Sequence, residues 1–275
     1  MLTQELDVTI TALFILGGLI IGSLLNVVVY RIPLMLANPD NKKNLNLFFP
    51  RSKCRNCHKS IKFQHNIPII SYLLLKGKCS FCKNRISIQY PIIESITSLL
   101  TLHCWLYFGL SIELFGALLF LWLLIAISFI DINHKIIPDS LSFSLLMIGL
   151  FFSIIKNYYN LTSNFSDLNS SILGIVFGYL ILWCIYQIHK IYTKKEGLGY
   201  GDFKLLAGLG AWLGWQFIPI TIFIASITGL IFGLGGIYRR KFNKETPIPF
   251  GPFLAIAGWF SFFYGPAIAS IYPIY

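Results

Sequence analysis

The chain has 275 residues, 56% of them hydrophobic, 16% aromatic and 12% charged, where soluble proteins carry roughly 25% charged residues. Twenty-two Lys and Arg against eleven Asp and Glu leave a formal charge of +11. These values exclude a disordered chain and a secreted disulfide scaffold, and argue against an ordinary soluble enzyme. The expected class is an all-α, polytopic integral membrane protein.

Residues 10–30 form a run of 21 positions without a charge, long enough to span about 30 Å of hydrocarbon. The nine residues before it hold two acids and no Lys or Arg, so the run reads as a retained membrane helix and not as a cleaved signal peptide. Residues 31–90 then carry twelve Lys and Arg. Further uncharged runs follow at 95–112, 114–130, 140–155, 171–188 and 247–275. The stretch 205–238 is too long for one ordinary crossing, and Gly210, Gly214 and Pro219 predict a break into two helices, the first short. Eight membrane helices result. With that count, every Lys and Arg except Lys156 falls on one face, which the positive-inside rule makes cytoplasmic, with both termini outside. The expected organisation is a first membrane helix at 1–33, a cytoplasmic four-cysteine domain at 34–94, and membrane-embedded helices over 95–275. No internal repeat stands out.

Within the basic loop, Cys54-x2-Cys57 and Cys79-x2-Cys82 are separated by 21 residues. Two such pairs place four thiolates around one tetrahedral ion, the pattern of a structural zinc site. A loop with so few apolar residues would take much of its folding energy from the metal. Cys54-Arg-Asn-Cys57-His58 also fits a haem-attachment signature, but that chemistry belongs to the opposite face and leaves the second pair without a purpose. Disulfides are disfavoured in a reducing cytosol. Cys104 and Cys184 lie in apolar runs, where packing is the default.

Acids are scarce, so their positions are informative. Asp131 closes the third run in Phe129-Ile-Asp-Ile-Asn-His134, Asp139 follows Ile137-Pro138, and Asp202 ends Gly199-Tyr-Gly-Asp202 at the start of another run. Ionisable groups at membrane helix ends are candidates for function. Two carboxylates brought together share a proton, so one can activate water while the other acts as an acid. Structural readings stand beside this one. Asp139 suits an N-cap, Asp131 could pair with Lys135, and Asp202 could pair with Lys204. Glu94 suits the positive end of a helix dipole; Ser23 and Asn26 suit contacts between helices; Glu196 reads as a solvated loop residue.

Several separated motifs together resemble one family. They are Gly22-Ser-Leu-Leu-Asn-Val-Val-Val-Tyr-Arg-Ile-Pro33, the paired cysteines, Asn66-Ile-Pro-Ile-Ile-Ser-Tyr72 and Tyr90-Pro-Ile-Ile-Glu94. Further on come the segments around Asp131, Asp139 and Asp202, and Pro247-Ile-Pro-Phe-Gly-Pro252. In this order they are similar to the bacterial type IV prepilin peptidases, the leader peptidases and N-methyltransferases of pilus and type II secretion systems; Gly-x-Gly-Asp is also similar to presenilin-type proteases. The resemblance implies catalytic aspartates at Asp131 and Asp202, zinc on Cys54, Cys57, Cys79 and Cys82, and an active centre facing the cytoplasm from the inner membrane. It implies prepilin or pseudopilin substrates cut after Gly, with the apolar stem among membrane lipids. It also implies methylation of the new N-terminal residue from S-adenosylmethionine, associated with the 34–94 region. Gln89 stands where the family often has Arg, and Arg55 where Pro is frequent.

The expected function is therefore aspartic prepilin cleavage followed by N-methylation, with no nucleic-acid partner. A polytopic transporter or secretion scaffold with a zinc-stabilised loop is the alternative, against which the lack of paired halves counts.

Overall fold

In the computed structural model, the described residues are 2–37, 46–159, 165–194, 197, 199–239 and 247–271. Glu196, Lys42, Lys43, Lys195, Arg240, Lys241 and Lys244 lie outside them. Among the described residues the secondary structure is helical, with no strand beyond two isolated bridges. The helices are α1 (Leu2–Ala37), the short α2 (Ile70–Leu74), α3 (Gln89–Phe108), α4 (Ile112–His134), α5 (Asp139–Tyr159), α6 (Leu168–Thr193), α7 (Tyr200–Leu213), α8 (Ile218–Tyr238) and α9 (Gly251–Ile271). Leaving α2 aside, the eight others answer to the eight expected helices. Five stretches are long and apolar enough to cross a membrane: Val8–Ala37 and α4, α5 and α6, together with Trp215–Tyr238. Eight crossings are therefore not established; α7, with 14 residues, reaches only about 21 Å.

The chain divides into two compact units, Met1–Ala126 and Ile127–Tyr275. In the first, α1 lies along α3 through two small residues one helical turn apart. A Cβ added to Gly18 would fall 2.6 Å from the Ser98 Cα, and one added to Gly22 would fall 2.6 Å from the Glu94 Cα. Close backbone approach of this kind lets polar groups meet across a membrane-type interface. Ser98 Oγ donates to the Ile15 carbonyl at 2.8 Å, and Asn26 Nδ2 donates to the Tyr90 carbonyl at 3.1 Å.

In the second unit α7 is nearly all buried, including Phe203, Leu205, Leu206 and Trp212. Its apolar residues run all round the helix because neighbours surround it. Gly210 faces Gly174 of α6 so closely that a Cβ on either would collide with the other's carbonyl. Trp212 Nε1 donates to the Leu145 carbonyl of α5 at 2.8 Å, and Leu209 packs on Gly258 of α9. The break in 205–238 falls at Gly214, with φ 81°, followed by a 3-10 turn at Trp215–Phe217. Positive φ suits a residue without Cβ. Gly210 does not break the helix; it is the contact point with α6.

One expectation fails in the loop. The two cysteine segments are structural copies offset by 25 positions (Cys54 to Cys79). The N–H of Cys54 donates to Lys59 and that of Cys79 to Asn84; His58 donates to Cys54 and Lys83 to Cys79; Ile61 donates to Ser52 and Ile86 to Gly77. His58 and Lys83 both take positive φ, at 55° and 59°. The repeat escapes notice in the sequence because it rests on backbone hydrogen bonds and shares only Lys-Cys-x2-Cys and the Ile four residues on.

Candidate functional site

Asp131 stands one turn from the C-terminus of α4, where the helix stops at Lys135, whose φ is 55° and whose N–H returns to the Asp131 carbonyl at 2.8 Å. The side chain is 5% exposed. Its Oδ2 accepts the N–H of Gly251 at 2.9 Å. Gly251 opens α9, so its N–H is one of those a helix cannot satisfy internally, and the helix's positive end points at the acid. A Cβ at position 251 would lie 2.7 Å from Oδ2, so only glycine fits this approach.

Asp202 occupies the third position of α7 and is 7% exposed. Its Oδ2 accepts the N–H of Gly199 at 3.3 Å, while its own N–H donates to the Gly199 carbonyl at 3.1 Å. The acid thus caps its own helix, the N-terminal place where a carboxylate is favoured. Ile137 sits against a glycine beside each acid. A Cβ on Gly201 would fall 2.7 Å from the Ile137 Cβ, and one on Gly251 would fall 3.1 Å from its Cδ1. The charge of Asp131 acts on Asp202. Two buried carboxylates that act on one another disfavour double ionisation.

The other acids have separate duties. Asp139 is the first residue of α5, not its N-cap; the Leu141 and Ser142 N–H groups turn back to the Pro138 carbonyl. Its carboxylate pairs with Lys204 Nζ at 2.6 Å in an exposed position, which takes up the cation that Asp202 could have used. Beside Asp202, the Tyr200 and Tyr186 hydroxyls lie 3.3 Å apart and Lys190 Nζ donates to Tyr186 at 3.1 Å. Ile137 and the role of Gly251 were not found from sequence. The motif Pro247–Pro252 marked the segment, but nothing local tells that its glycine faces an acid 120 positions away.

In the first unit, the Sγ atoms of Cys54, Cys57, Cys79 and Cys82 all lie within 4.8 Å of one another. Cys54 and Cys82 are 3.8 Å apart, close to the sulfur–sulfur edge of about 3.8 Å that a tetrahedron with Zn–S near 2.3 Å requires. The four thiols thus fit a zinc ion. Backbone N–H groups turn toward the sulfurs. Those of Cys57 and Asn56 draw the Cys54 thiol below its ordinary range. Those of Asn84, with the Asn56 side chain, bring Cys82 down to about 6. Cys57 receives a lowering backbone contact from Lys59, but burial and hydrogen bonds with the other cysteines outweigh it and push it up to about 11. Two thiols drawn toward ionisation suit a site that loads a metal by releasing protons. Asn56 Nδ2, 3.7 Å from Cys82 Sγ, is an outer partner for that sulfur. Cys104 is buried within α3, in keeping with a packing role.

Residues 16–108 match the family model of the bacterial peptidase A24 N-terminal domain, and residues 118–234 match that of the type IV leader peptidase family. Curated relatives include the prepilin leader peptidase/N-methyltransferase of Aeromonas salmonicida (strain A449), 42% identical over 277 residues that cover 95% of this chain and 93% of the relative. The proteins of the same name from Stutzerimonas stutzeri and Pseudomonas aeruginosa are both 44% identical. They cover 93% and 94% of this chain respectively, and 91% of each relative. No solved structure matches.

Proposed function

The chain belongs to the type IV leader peptidase family, and from that premise we propose that it is a multi-pass inner-membrane leader peptidase and N-methyltransferase acting on prepilins or pseudopilins. What supports the peptidase reading is the pair of buried acids, Asp131 and Asp202, at the ends of two helices, each with a glycine beside it (Gly251 and Gly201) that faces Ile137.

Asp131 and Asp202 are its catalytic pair. One carboxylate takes a proton from water, and the resulting nucleophile attacks the carbonyl carbon of the leader's last residue. The other acid gives its proton to the carbonyl oxygen. On collapse the first passes the proton it took from water to the departing amine, and the second recovers its own as the carbonyl re-forms, so the pair ends as it began. A glycine before the scissile bond lets the carbonyl approach without a side chain in the way. On the enzyme side Gly201 and Gly251 let their segments pack close beside the acids, where a Cβ would meet Ile137 or Asp131 at 2.7 Å. The basic leader and the active centre lie on the cytoplasmic face, while the apolar pilin stem stays among lipids.

Zinc on Cys54, Cys57, Cys79 and Cys82 ties the loop together and takes no part in water activation. S-adenosylmethionine is the methyl donor for the new N-terminus. Neither activity calls for a nucleic acid.

A cleavage assay with purified protein and a prepilin, read by mass spectrometry, tests the reading. Asp131→Asn and Asp202→Asn should each lose activity on the order of 10³-fold or more. Full activity in either variant rules out the pair.

A further inference from the structure

Glu94 is a buried carboxylate that peptide cleavage does not use. It is the sixth residue of α3, past the helix start where a dipole would favour it, and is 7% exposed. Its Oε2 accepts the N–H of Ile69 at 2.8 Å, and the Ser23 side chain of α1 hydrogen-bonds to it. Among the described residues these partners are both neutral, and no Lys, Arg or His pairs with it. Burying a charge is costly unless it meets an opposite one. Holding the Ile69 N–H needs only a neutral acceptor, which an amide would supply without that cost. A carboxylate here makes sense if a cation comes to it.

Two neighbouring features agree. Ile69 takes φ 58°, a conformation that a β-branched residue adopts only when its surroundings compel it, and such strain gathers at functional sites. The rest of α3 beyond Glu94 carries no charge, and α1 presses against it at Gly22. The acid therefore stands at the head of an apolar helix pair. A cation of matching form is an ammonium at the head of an apolar helical stem.

We propose that Glu94 binds the α-amine of the processed pilin's new N-terminus and takes its proton. This rests on the reading of the chain as a methyltransferase. At neutral pH the freed α-amine takes up a proton and stands as an ammonium, whose nitrogen has no free electron pair. Transfer of one proton to Glu94 restores it. The nitrogen then forms a bond to the methyl carbon as the donor's sulfonium C–S bond breaks, and sulfur keeps the electron pair as a neutral thioether.

The test uses the full-length protein in detergent micelles with two synthetic stem peptides starting at Phe, one with a free amine and one N-acetylated. Wild type should bind the free-amine peptide at least about tenfold more tightly, and Glu94→Gln should bind both alike. In a prepilin assay Glu94→Gln should cleave at the wild-type rate and leave the product unmethylated. Equal binding of the two peptides by wild type overturns the proposal, whatever the variant does. So does methylation by Glu94→Gln at the wild-type rate, and so does joint loss of cleavage and methylation, which marks Glu94 as an anchor of the fold. Wild type that cleaves without methylating, donor present, sinks the methyltransferase reading instead, and the peptide comparison still decides the amine site.

Discussion

The cysteine loop and the helix carrying Asp202 are built by opposite means. Across residues 46–88 only Ser71, Gly77 and Cys79 are buried, so the loop has almost no apolar core and depends on four sulfurs converging. In α7, eleven of fourteen residues are buried, and its position is set by contact with α5, α6 and α9. With the proposed zinc bound, the first region would be held by a few strong metal–sulfur bonds between residues close in sequence. The second is held by many weak contacts between residues far apart. A perturbation should therefore break the loop all at once, and the bundle by degrees.

Removing the metal should have the largest effect. Structural zinc contributes roughly 10 kcal/mol of binding free energy in small domains. Chelation, or Cys54→Ser with Cys79→Ser, should make residues 46–88 sensitive to protease and abolish metal content. Water activation by the aspartates should survive, and metal-dependent recovery of cleavage at an intact loop would break the comparison. In the bundle, Gly210→Ala should come next, because its Cβ would meet the Gly174 backbone carbonyl at 2.1 Å and no side chain can move aside. A loss of about 3 kcal/mol, read by thermal unfolding in detergent with zinc retained, is the expected outcome.

Gly251→Ala sharpens the comparison further, since it disturbs a single contact at the acid. With a Cβ 2.7 Å from Asp131 Oδ2, cleavage kcat should fall about 10- to 100-fold while KM and unfolding temperature change little. An unchanged kcat would show that the Gly251 contact does not position Asp131. The smallest effect belongs to Lys204→Ala. Its partner Asp139 is exposed, so stability should change by less than about 1 kcal/mol, and cleavage should stay near wild type. A large loss there would tie Lys204 to Asp202 instead.

Much of this was legible beforehand for a physical reason. Long apolar runs must become helices in a membrane, because backbone groups there have no water to bond with, so the eight helices could be read from charge spacing. The Cys-x2-Cys pairs could be read because ligand spacing is a local property. Asp131 and Asp202 were marked by the rarity of acids. What stayed hidden depends on which surfaces meet. Gly210 looks like a breaker in the sequence and is a contact in the fold; Glu94 looks like a helix-start acid and is a buried one.

Composition and spacing by themselves determined the helical membrane class, the four-cysteine spacing and three acids at helix ends, of which the family resemblance singles out Asp131 and Asp202. Tertiary structure alone decided that Gly251 hydrogen-bonds to Asp131, that Ile137 sits against both Gly201 and Gly251, that Lys204 goes to Asp139, and that Glu94 lies buried between neutral partners. Periodicity and ligand spacing act over a few residues and leave a trace in the order of the chain. Close packing between distant segments is chosen by shape, and a glycine pressed on a carboxylate spells the same as a glycine in a turn.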